Sequence, residues 1–331
     1  MDHKTQLLLQ NIDLSYTKRG IVRGLLAGAA WGLDGVLMGM VLGLAPFKNN
    51  INIFLVPLVG ACLHDGFSAL WIFINNVIKG KWREYMRTVK TKPGKMIVLA
   101  AILGGPIGMS GNLLAIYFSG ASYTAAITAA YPAIGAILGY IFLKERISTR
   151  VWAGIILAII GAFIVGFIPP EGLSYPNFYV GIGLAVVATL GWALEGVIST
   201  YGMDLIDSDI AIGIREASSF FMYTIGILPI FRGAGYQLVF DSFMTSSVWC
   251  IAFVGFVGGI SFLSWYKGMN MIGVSRAMGL NVTFALWSVF FGWLLDDLHI
   301  TPNLIIGVVI ISFGTILTIG NPKDLVNLRS Y

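Results

Sequence analysis

The stretch "AAWGLDGVLMG" at residues 29–39 places a carboxylate, Asp34, in the middle of an apolar run. A charged side chain at the centre of a bilayer costs about 2.5–3.5 kcal/mol on insertion scales, so residues of this kind are usually functional. The whole chain has 331 residues, of which 57% are hydrophobic and only 11% are charged. Soluble domains carry roughly 25% charged residues. We therefore predict an all-α integral membrane protein.

Ten apolar segments approach the length of about 20 residues that a spanning helix needs. They cover roughly residues 21–44, 52–78, 96–118, 121–143, 151–168, 178–201, 210–231, 247–267, 272–295 and 302–320. The polar residues before the first segment contain no apolar core of a secretory signal peptide. We expect residues 1–20 to form a cytoplasmic N-terminal segment and residues 321–331 a cytoplasmic tail.

Lysine and arginine residues fall mainly on one side of these segments. With the N-terminus inside, 17 of the 21 lie in inside segments, seven of them in the loop 79–95, and only Lys48 and Arg232 lie outside. This bias predicts that both termini are cytoplasmic. The loop 201–209 is an exception, because it carries three aspartates and no basic residue on the predicted inner side.

The phrase around Asp34 occurs twice, as "WGLDGV" (31–36) and "WALEGV" (192–197). Three further matches follow in the same order: "HDGFS" (64–68) with "REASS" (215–219), "GYIFLKE" (139–145) with "GWLLDDL" (292–298), and "GIILAIIG" (154–161) with "GVVIISFG" (307–314). Each copy holds five predicted spans, at 21–168 and 178–320. Because five is odd, the second copy enters the membrane from the opposite side. Inverted repeats are typical of secondary transporters, which bind substrate near the midplane between the repeats.

Trp31 and Asp34 are three residues apart and therefore share one helix face, and Trp192 and Glu195 repeat this arrangement. Together they suit a quaternary ammonium ion. Such an ion has no N–H donor, so aromatic faces, at about 0.5–2 kcal/mol each, and a carboxylate must select it. The alternatives are core packing or lipid anchoring for the two tryptophans, and an ion pair with Arg215 for Glu195.

Two charged dipeptides occupy corresponding places, His64–Asp65 in the second span and Arg215–Glu216 in the seventh. Adjacent residues on a helix point about 100° apart, so we expect neither dipeptide to form a close internal pair. Either both dipeptides brace helices of different repeats, or His64 carries a proton, since histidine titrates near neutral pH. For Asp34 three roles are open: substrate binding, proton coupling, and pairing with His64 or Arg276.

Further side chains are candidates for the substrate pocket. The amides of Asn112 and Asn281 can hydrogen-bond a substrate hydroxyl or bridge helices. The rings of Trp287, Trp265 and Tyr131 can face the substrate or pack in the core.

Two prolines predict interruptions of spans. Pro106, in "GGP", removes a backbone donor from the third span, and Pro132 does so in the fourth. The counterpart of Pro132 in the second repeat is Val282, which predicts that the two repeats differ mechanically.

Both cysteines, Cys62 and Cys250, lie in apolar runs without a CxxC pair, and no HExxH motif is present. We expect no metal, no cofactor and no enzymatic activity.

The repeat together with "YPAIGAILGYIFLKERIS" (131–148) resembles the drug/metabolite transporter superfamily, EamA type. "GGPIGMSGNLLA" (104–115), "IRE" (214–216) with "SSF" (218–220), and "GLNVTFALWSVFF" (279–291) are similar to the bacterial choline permeases of the LicB type. This resemblance implies a bacterial inner-membrane protein that takes up choline through an aromatic pocket with an acidic anchor. In that family the Trp of the first helix and the Glu of the sixth line the site, which here are Trp31 and Glu195.

Asp34 departs from that family, whose first helix has no acid at this place. We expect an importer of choline or a related quaternary amine, driven by membrane potential, with protons as a candidate co-ion. The alternative function is an EamA-type exporter of amino acids or other small metabolites. The expected partners are a small cationic substrate, the lipid bilayer and protons, without nucleic acid, and the chain is expected to be a monomer or a homodimer.

Overall fold

The computed structural model describes residues 3–48, 50, 52, 54–119, 121–166, 177–296 and 300–319. The predicted tail at 321–331, with Lys323 and Arg329, lies outside these residues. The described chain is built of helices. In chain order these are α1 (His3–Leu42), α2 (Leu55–Ile78), α3 (Trp82–Thr88), α4 (Lys92–Ile102), a π-helical segment (Leu103–Met109), α5 (Ser110–Ser119), α6 (Ala121–Thr128), α7 (Tyr131–Phe142), α8 (Thr149–Gly166), α9 (Phe178–Gly202), α10 (Ser208–Met222), a second π-helical segment (Tyr223–Ile227), a 3-10 turn (Leu228–Phe231), α11 (Ala234–Phe243), α12 (Ser247–Ile272), α13 (Val274–Asn281), α14 (Phe284–Leu295) and α15 (Pro302–Ile319).

Seven helical segments in the described part of the chain are long and apolar enough to cross a membrane. They are Leu14–Leu42, Leu55–Ile78, Lys92–Ser119, Phe178–Gly202, Ser247–Ile272, Val274–Leu295 and Pro302–Ile319. The protein is therefore an integral, multi-pass membrane protein. The other three predicted spans, at 121–143, 151–168 and 210–231, are formed by shorter or interrupted helices. The total of ten stays a prediction.

Two helices lie where the sequence predicts only connections. Helix α3 occupies the basic loop 79–95, and α11 follows the 3-10 turn. Tyr85 holds α3 against the bundle, because its ring lies where a side chain at Gly213 of α10 would begin, with Cε2 2.5 Å from an ideal Cβ there. Tyr85 thus anchors the basic loop to the bundle, while most other residues of the loop are exposed.

Interruptions occur in spans of both repeats. Pro106 lies in the first π-helical segment, where the missing N–H and the wider turn loosen the backbone ladder. The predicted fourth span breaks between α6 and α7, where Pro132 sits in the first turn and its lack of a donor does no harm. The corresponding span of the second half also breaks, between Asn281 and Phe284, although Val282 occupies the place of Pro132. A proline is not needed for this break. A mechanical difference between the two repeats stays a prediction.

Helices α8 and α15, which carry the matched glycine phrases, pack directly on each other. A Cβ atom on Gly161 would lie 2.8 Å from the carbonyl oxygen of Gly307, and a Cβ atom on Gly307 would lie 2.8 Å from the carbonyl oxygen of Gly161. Gly154 and Gly314 repeat this mutual relation at 2.7 and 2.8 Å. Contacts that are reciprocal in this way are what a twofold relation between the two copies would produce.

The largest apolar core reaches from the middle of the bundle to the end where α4 begins and α7, α9 and α12 end. Its members include Ile21, Ile97, Leu143, Met203 and Ile272, all buried. A second apolar cluster lies at the opposite end, and joins α1, α2, α12 and the segment that follows α10.

A cluster of ion pairs covers the end of the bundle that holds the largest core. Asp209 lies 2.8 Å from Lys79 and 2.7 Å from Lys267, and Asp207 lies 2.7 Å from Lys81. Partial burial lowers the pKa of Lys81, but the hydrogen bond and charge of Asp207 and the charge of Asp209 outweigh burial and raise that pKa above its ordinary value. The acidic loop that disagreed with the charge rule is therefore paired with lysines from two other elements.

Candidate functional site

A cavity of about 680 Å³ lies between helices of both halves of the chain. Most of the side chains that the sequence analysis selected line it. They are Trp31, Asp34, His64, Asp65, Asn112, Tyr131, Trp192, Glu195, Arg215, Trp265 and Asn281. The two Trp–acid pairs of the repeated phrase therefore face one common space.

The cavity extends from these charged residues toward the end of the bundle where α1 ends and α2 begins. Its lining there includes Leu42, Pro57 and Ile116. The largest apolar core and the lysine–aspartate cluster occupy the other end. The cavity therefore approaches the face that is poor in lysine and arginine.

Four buried residues form a chain of contacts beside the cavity. His64 Nε2 lies 2.9 Å from Asp34 Oδ1, and its Nδ1 lies 3.1 Å from Asp65 Oδ1. Ser219 donates a hydrogen bond of 2.6 Å to the other oxygen of Asp65. Because ionised carboxylates only accept, the form of His64 that satisfies both contacts is the imidazolium, with a proton on each nitrogen. Of the pairings that the sequence left open for Asp34, the structure has the one with His64.

Arg215 forms the centre of a second cluster. Its Nε and Nη2 donate to the two oxygens of Glu195 at 2.6 and 3.3 Å, and its Nη1 donates to Glu216 at 2.6 Å. Tyr266 approaches Glu195 at 3.5 Å. The bidentate contact with Glu195 is the geometry that a guanidinium favours with a carboxylate. The ion pair given above as the alternative for Glu195 therefore exists in this structure.

The expectation that neither charged dipeptide pairs internally is wrong. Arg215 contacts Glu216, and His64 contacts Asp65, although the Cβ atoms of adjacent helical residues diverge. Rotation about the side-chain bonds brings the polar ends of the two side chains together. Both dipeptides also bridge helices, since His64 joins α2 to α1 and Arg215 joins α10 to α9.

Phe262 is a lining residue that the sequence analysis missed. The guanidinium carbon of Arg215 lies 4.7 Å from the centre of its ring, and Trp31 meets the ring edge-on at 5.3 Å between centroids. Phe262 precedes Trp265 by three residues, so the two share a helix face. The three-residue spacing from Trp265 is the feature of the sequence that identifies Phe262 as a candidate lining residue. Phe262 is the ring of α12 on which the Arg215 guanidinium lies.

The first π-helical segment creates space for the acidic residue of α9. An ideal Cβ on Gly104 would overlap Glu195 Oε2, and one on Gly105 would overlap Ser219 Oγ. Trp192 donates from Nε1 to the carbonyl oxygen of Gly104 at 2.9 Å. Only glycine leaves room for these contacts, which accounts for the "GG" before Pro106.

A group of aromatic and amide side chains forms another wall. Tyr131 meets Trp192 edge-on at 6.2 Å between centroids, and Asn281 donates to the Tyr131 hydroxyl at 3.2 Å. Trp287 does not line the cavity. It stacks on Phe291 at 6.0 Å. Glu216 lies behind Arg215, outside the lining.

Carboxyl groups outnumber basic side chains at the cavity. The carboxyl groups of Asp34, Asp65 and Glu195 line it together with one guanidinium and one imidazole, and a fourth buried carboxyl group, that of Glu216, contacts the guanidinium from outside the lining. Within the described part of the chain, no group of three or more His, Cys, Asp and Glu side chains is arranged to hold a metal ion. The cavity thus combines aromatic rings with an excess of acidic groups.

This helical fold, its repeated phrase and its central cavity can be compared with known proteins. The model of the EamA-like transporter family matches residues 18–167 and 179–320, most of the chain. The chain belongs to the EamA-like transporter family. Relatives of this chain occur in bacteria, which implies that this multi-pass protein lies in a cell membrane.

Two relatives and one solved structure illustrate the similarity of this EamA-like transporter. Protein LicB of Haemophilus influenzae is 30% identical over 221 residues, which are 67% of this chain and 74% of LicB. An uncharacterized transporter, YoaV of Bacillus subtilis, is 25% identical over 75% of this chain and 84% of its own. A solved crystal structure with 14% identity superposes with a TM-score of 0.70 over 90% of this chain and 95% of its own, which shows the fold alone.

Proposed function

We propose that this EamA-like transporter imports choline or a related quaternary amine by alternating access. In this proposal ten spans form two inverted repeats, 21–168 and 178–320, and both termini are cytoplasmic. The observation that carries the proposal is the cavity itself, in which aromatic rings surround an excess of buried carboxyl groups. The reciprocal packing of Gly161 and Gly307 supports the twofold relation between the repeats.

The charge balance favours a cationic substrate. An unpaired charge removed from water is strongly destabilising, so the surplus carboxylates need either protons or a bound cation. A substrate with a fixed positive charge supplies the cation without donating hydrogen bonds. The rings of Trp31, Phe262 and Trp265 then provide the attractive surface that a quaternary ammonium requires.

The alternative function, export of amino acids, requires a cation for the substrate carboxylate. Arg215 is the arginine that lines the cavity, and its Nε, Nη1 and Nη2 already donate to Glu195 and Glu216. The carboxylate of a zwitterion would therefore have to compete with Glu195 and Glu216 for this guanidinium. This arrangement favours the cation importer over the exporter.

Membrane potential is sufficient to drive such import. Moving one positive charge inward gains about 2.3 kcal/mol per 100 mV. At 1.36 kcal/mol per decade this corresponds to roughly 50-fold accumulation. We further propose that the buried pair of His64 and Asp34 is the site of proton coupling, since it joins a titratable imidazole to a carboxylate at the cavity wall.

The similarity to LicB and the resemblance of "GGPIGM" and "GLNV" to choline permeases support the choice of substrate. Asp34, which has no counterpart in that resemblance, is where this protein would differ in coupling or in substrate range. A cavity of about 680 Å³ also accommodates amines larger than choline.

Uptake of labelled choline into proteoliposomes tests the proposal. We expect uptake under an inward negative potential, and its loss in Glu195→Gln, because the neutral amide cannot balance a cation. Glu84→Gln, a change of the same kind on the exposed face of α3, should leave uptake unchanged. Failure of choline and of tetramethylammonium to bind the purified protein at millimolar concentration would contradict the substrate, and normal uptake by Glu195→Gln would contradict the anchor.

A further inference from the structure

Arg215 occupies the environment that a quaternary ammonium substrate would need. Its guanidinium is held on one side by the carboxylate of Glu195, at 2.6 and 3.3 Å, and on the other by the ring of Phe262, at 4.7 Å. A carboxylate and an aromatic face are the two features that bind a cation lacking N–H donors. The side chain of Arg215 is only 6% exposed, so water does not compete with it for these two contacts.

We propose that Arg215 is a tethered competitor for the substrate cation. In the empty protein its guanidinium neutralises Glu195, and substrate binding displaces it from Glu195 and Phe262. This inference rests on the proposed function, because it assumes that Glu195 anchors a substrate cation. It assigns to Arg215 the role of setting affinity, and not only that of bracing α9 against α10.

The structure contains a second position for the displaced guanidinium. Nη1 of Arg215 already donates to Glu216 Oε1 at 2.6 Å and lies 3.9 Å from Asp65 Oδ2. The other oxygen of Glu216 is buried and accepts no hydrogen bond from any residue that the structure describes. A shift of about 1 Å would bring Nη1 within hydrogen-bond distance of Asp65. Arg215 can thus leave Glu195 and remain paired with two carboxylates.

Competition of this kind lowers the apparent affinity for substrate. When the competent state is populated in only a fraction of molecules, the observed Kd rises by the inverse of that fraction. If Glu195 is free of Arg215 in about one-tenth of molecules, loosening Arg215 should lower the choline Kd by up to about tenfold. The empty carrier, meanwhile, has its buried anchor neutralised.

Arg215→Lys separates competition from charge. Lysine keeps the positive charge but presents a single ammonium, which cannot span both oxygens of Glu195. We therefore expect Arg215→Lys to bind choline more tightly than the wild type, by several-fold. If Arg215 acted only through its positive charge, Arg215→Lys would leave the choline Kd unchanged, because lysine keeps that charge. An unchanged or higher choline Kd in folded Arg215→Lys, judged by size-exclusion elution and thermal unfolding, overturns the proposal.

Chemical rescue in Arg215→Ala gives the second test. Free guanidinium chloride at millimolar concentration, well below denaturing levels, should fill the vacancy, raise the choline Kd competitively and restore it toward the wild-type value. The same salt should have no such effect on the wild type or on Arg276→Ala, the matched loss of a buried arginine outside the cavity lining. Absence of competition in folded Arg215→Ala overturns the inference, and if this variant does not fold, Arg215→Lys decides.

The two proposals fail in different ways. If the wild type binds neither choline nor tetramethylammonium, the proposed substrate is wrong. Binding of guanidinium in the space left by the Arg215 side chain is then measured by thermal shift alone. Guanidinium should raise the melting temperature of Arg215→Ala and should not raise that of the double variant Arg215→Ala with Glu195→Gln. If the wild type binds choline but guanidinium does not compete in Arg215→Ala, the function stands and the role of Arg215 is refuted.

Discussion

Nε2 of His64 lies 2.9 Å from Oδ1 of Asp34, and this contact joins α2 to α1 at the wall of the cavity. The second nitrogen of the same imidazole contacts Asp65. His64 thus links a carboxylate of the repeated Trp–acid phrase to the adjacent charged cluster. Loss of its proton would remove a positive charge from the space in which we place the substrate cation.

The affinity for choline should therefore depend on the charge of His64. In His64→Gln the positive charge between Asp34 and Asp65 is lost, so this variant should bind choline several-fold more tightly than the wild type at the same pH. Equilibrium binding of labelled choline to the two purified proteins measures both Kd values. An equal or higher Kd in folded His64→Gln would show that this charge does not oppose the substrate cation.

The aromatic wall predicts unequal effects of two tryptophan substitutions. Trp31→Leu removes a ring that lines the cavity and contacts Phe262, and should weaken choline binding by about 2- to 30-fold, corresponding to about 0.5–2 kcal/mol. Trp287→Leu, whose ring lies outside the lining, should leave the Kd within about twofold. Isothermal titration with choline measures both. Equal losses would place Trp287 in the site after all.

The contact between α8 and α15 should tolerate no added side chain. Gly161→Ala would place a methyl group 2.8 Å from the carbonyl oxygen of Gly307, and should lower the unfolding free energy by about 1–3 kcal/mol. Gly183→Ala adds the same group where no atom lies within 4 Å, and should be neutral or slightly stabilising. Thermal unfolding in detergent compares them. A stable Gly161→Ala protein would show that the two helices separate at little cost.

The ion pairs at the lysine-rich end should stabilise the described state. Asp209→Asn leaves Lys79 and Lys267 without their carboxylate and should lower stability by about 2 kcal/mol or more, because its side chain is only 5% exposed. Asp207→Asn affects a pair in which the aspartate is 38% exposed, so it should have a much smaller effect. Melting temperatures of the two variants, measured under identical detergent conditions, provide the comparison. Similar melting temperatures would contradict this ranking.

Some features of the site followed directly from the order of residues. The repeated phrase with Trp31 and Glu195 selected residues that the structure brings to one cavity, because spacing of three places a ring and an acid on one helix face. The "GGP" at 104–106 pointed to an interrupted helix, which is the first π-helical segment. These inferences needed only local geometry.

Other features did not follow from spacing. Adjacent residues diverge on an ideal helix, so spacing alone predicts no contact between Arg215 and Glu216, yet the two side chains pair. The helix break after Asn281 contains no proline from which it could be predicted. The importance of Phe262 depends on where α12 lies relative to α1 and α10. Each depends on how neighbouring helices are placed.

The sequence by itself determined that the chain is a helical membrane protein, which of its residues are charged in apolar surroundings, and on which helix face each of them lies. Periodicity determines this because side-chain direction repeats along a helix. Only the tertiary structure decided which partners these residues have. Helix tilt, π-helical segments and glycine contacts rotate and shift each face relative to its neighbours. For that reason Asp34 meets His64, and Glu195 meets Arg215.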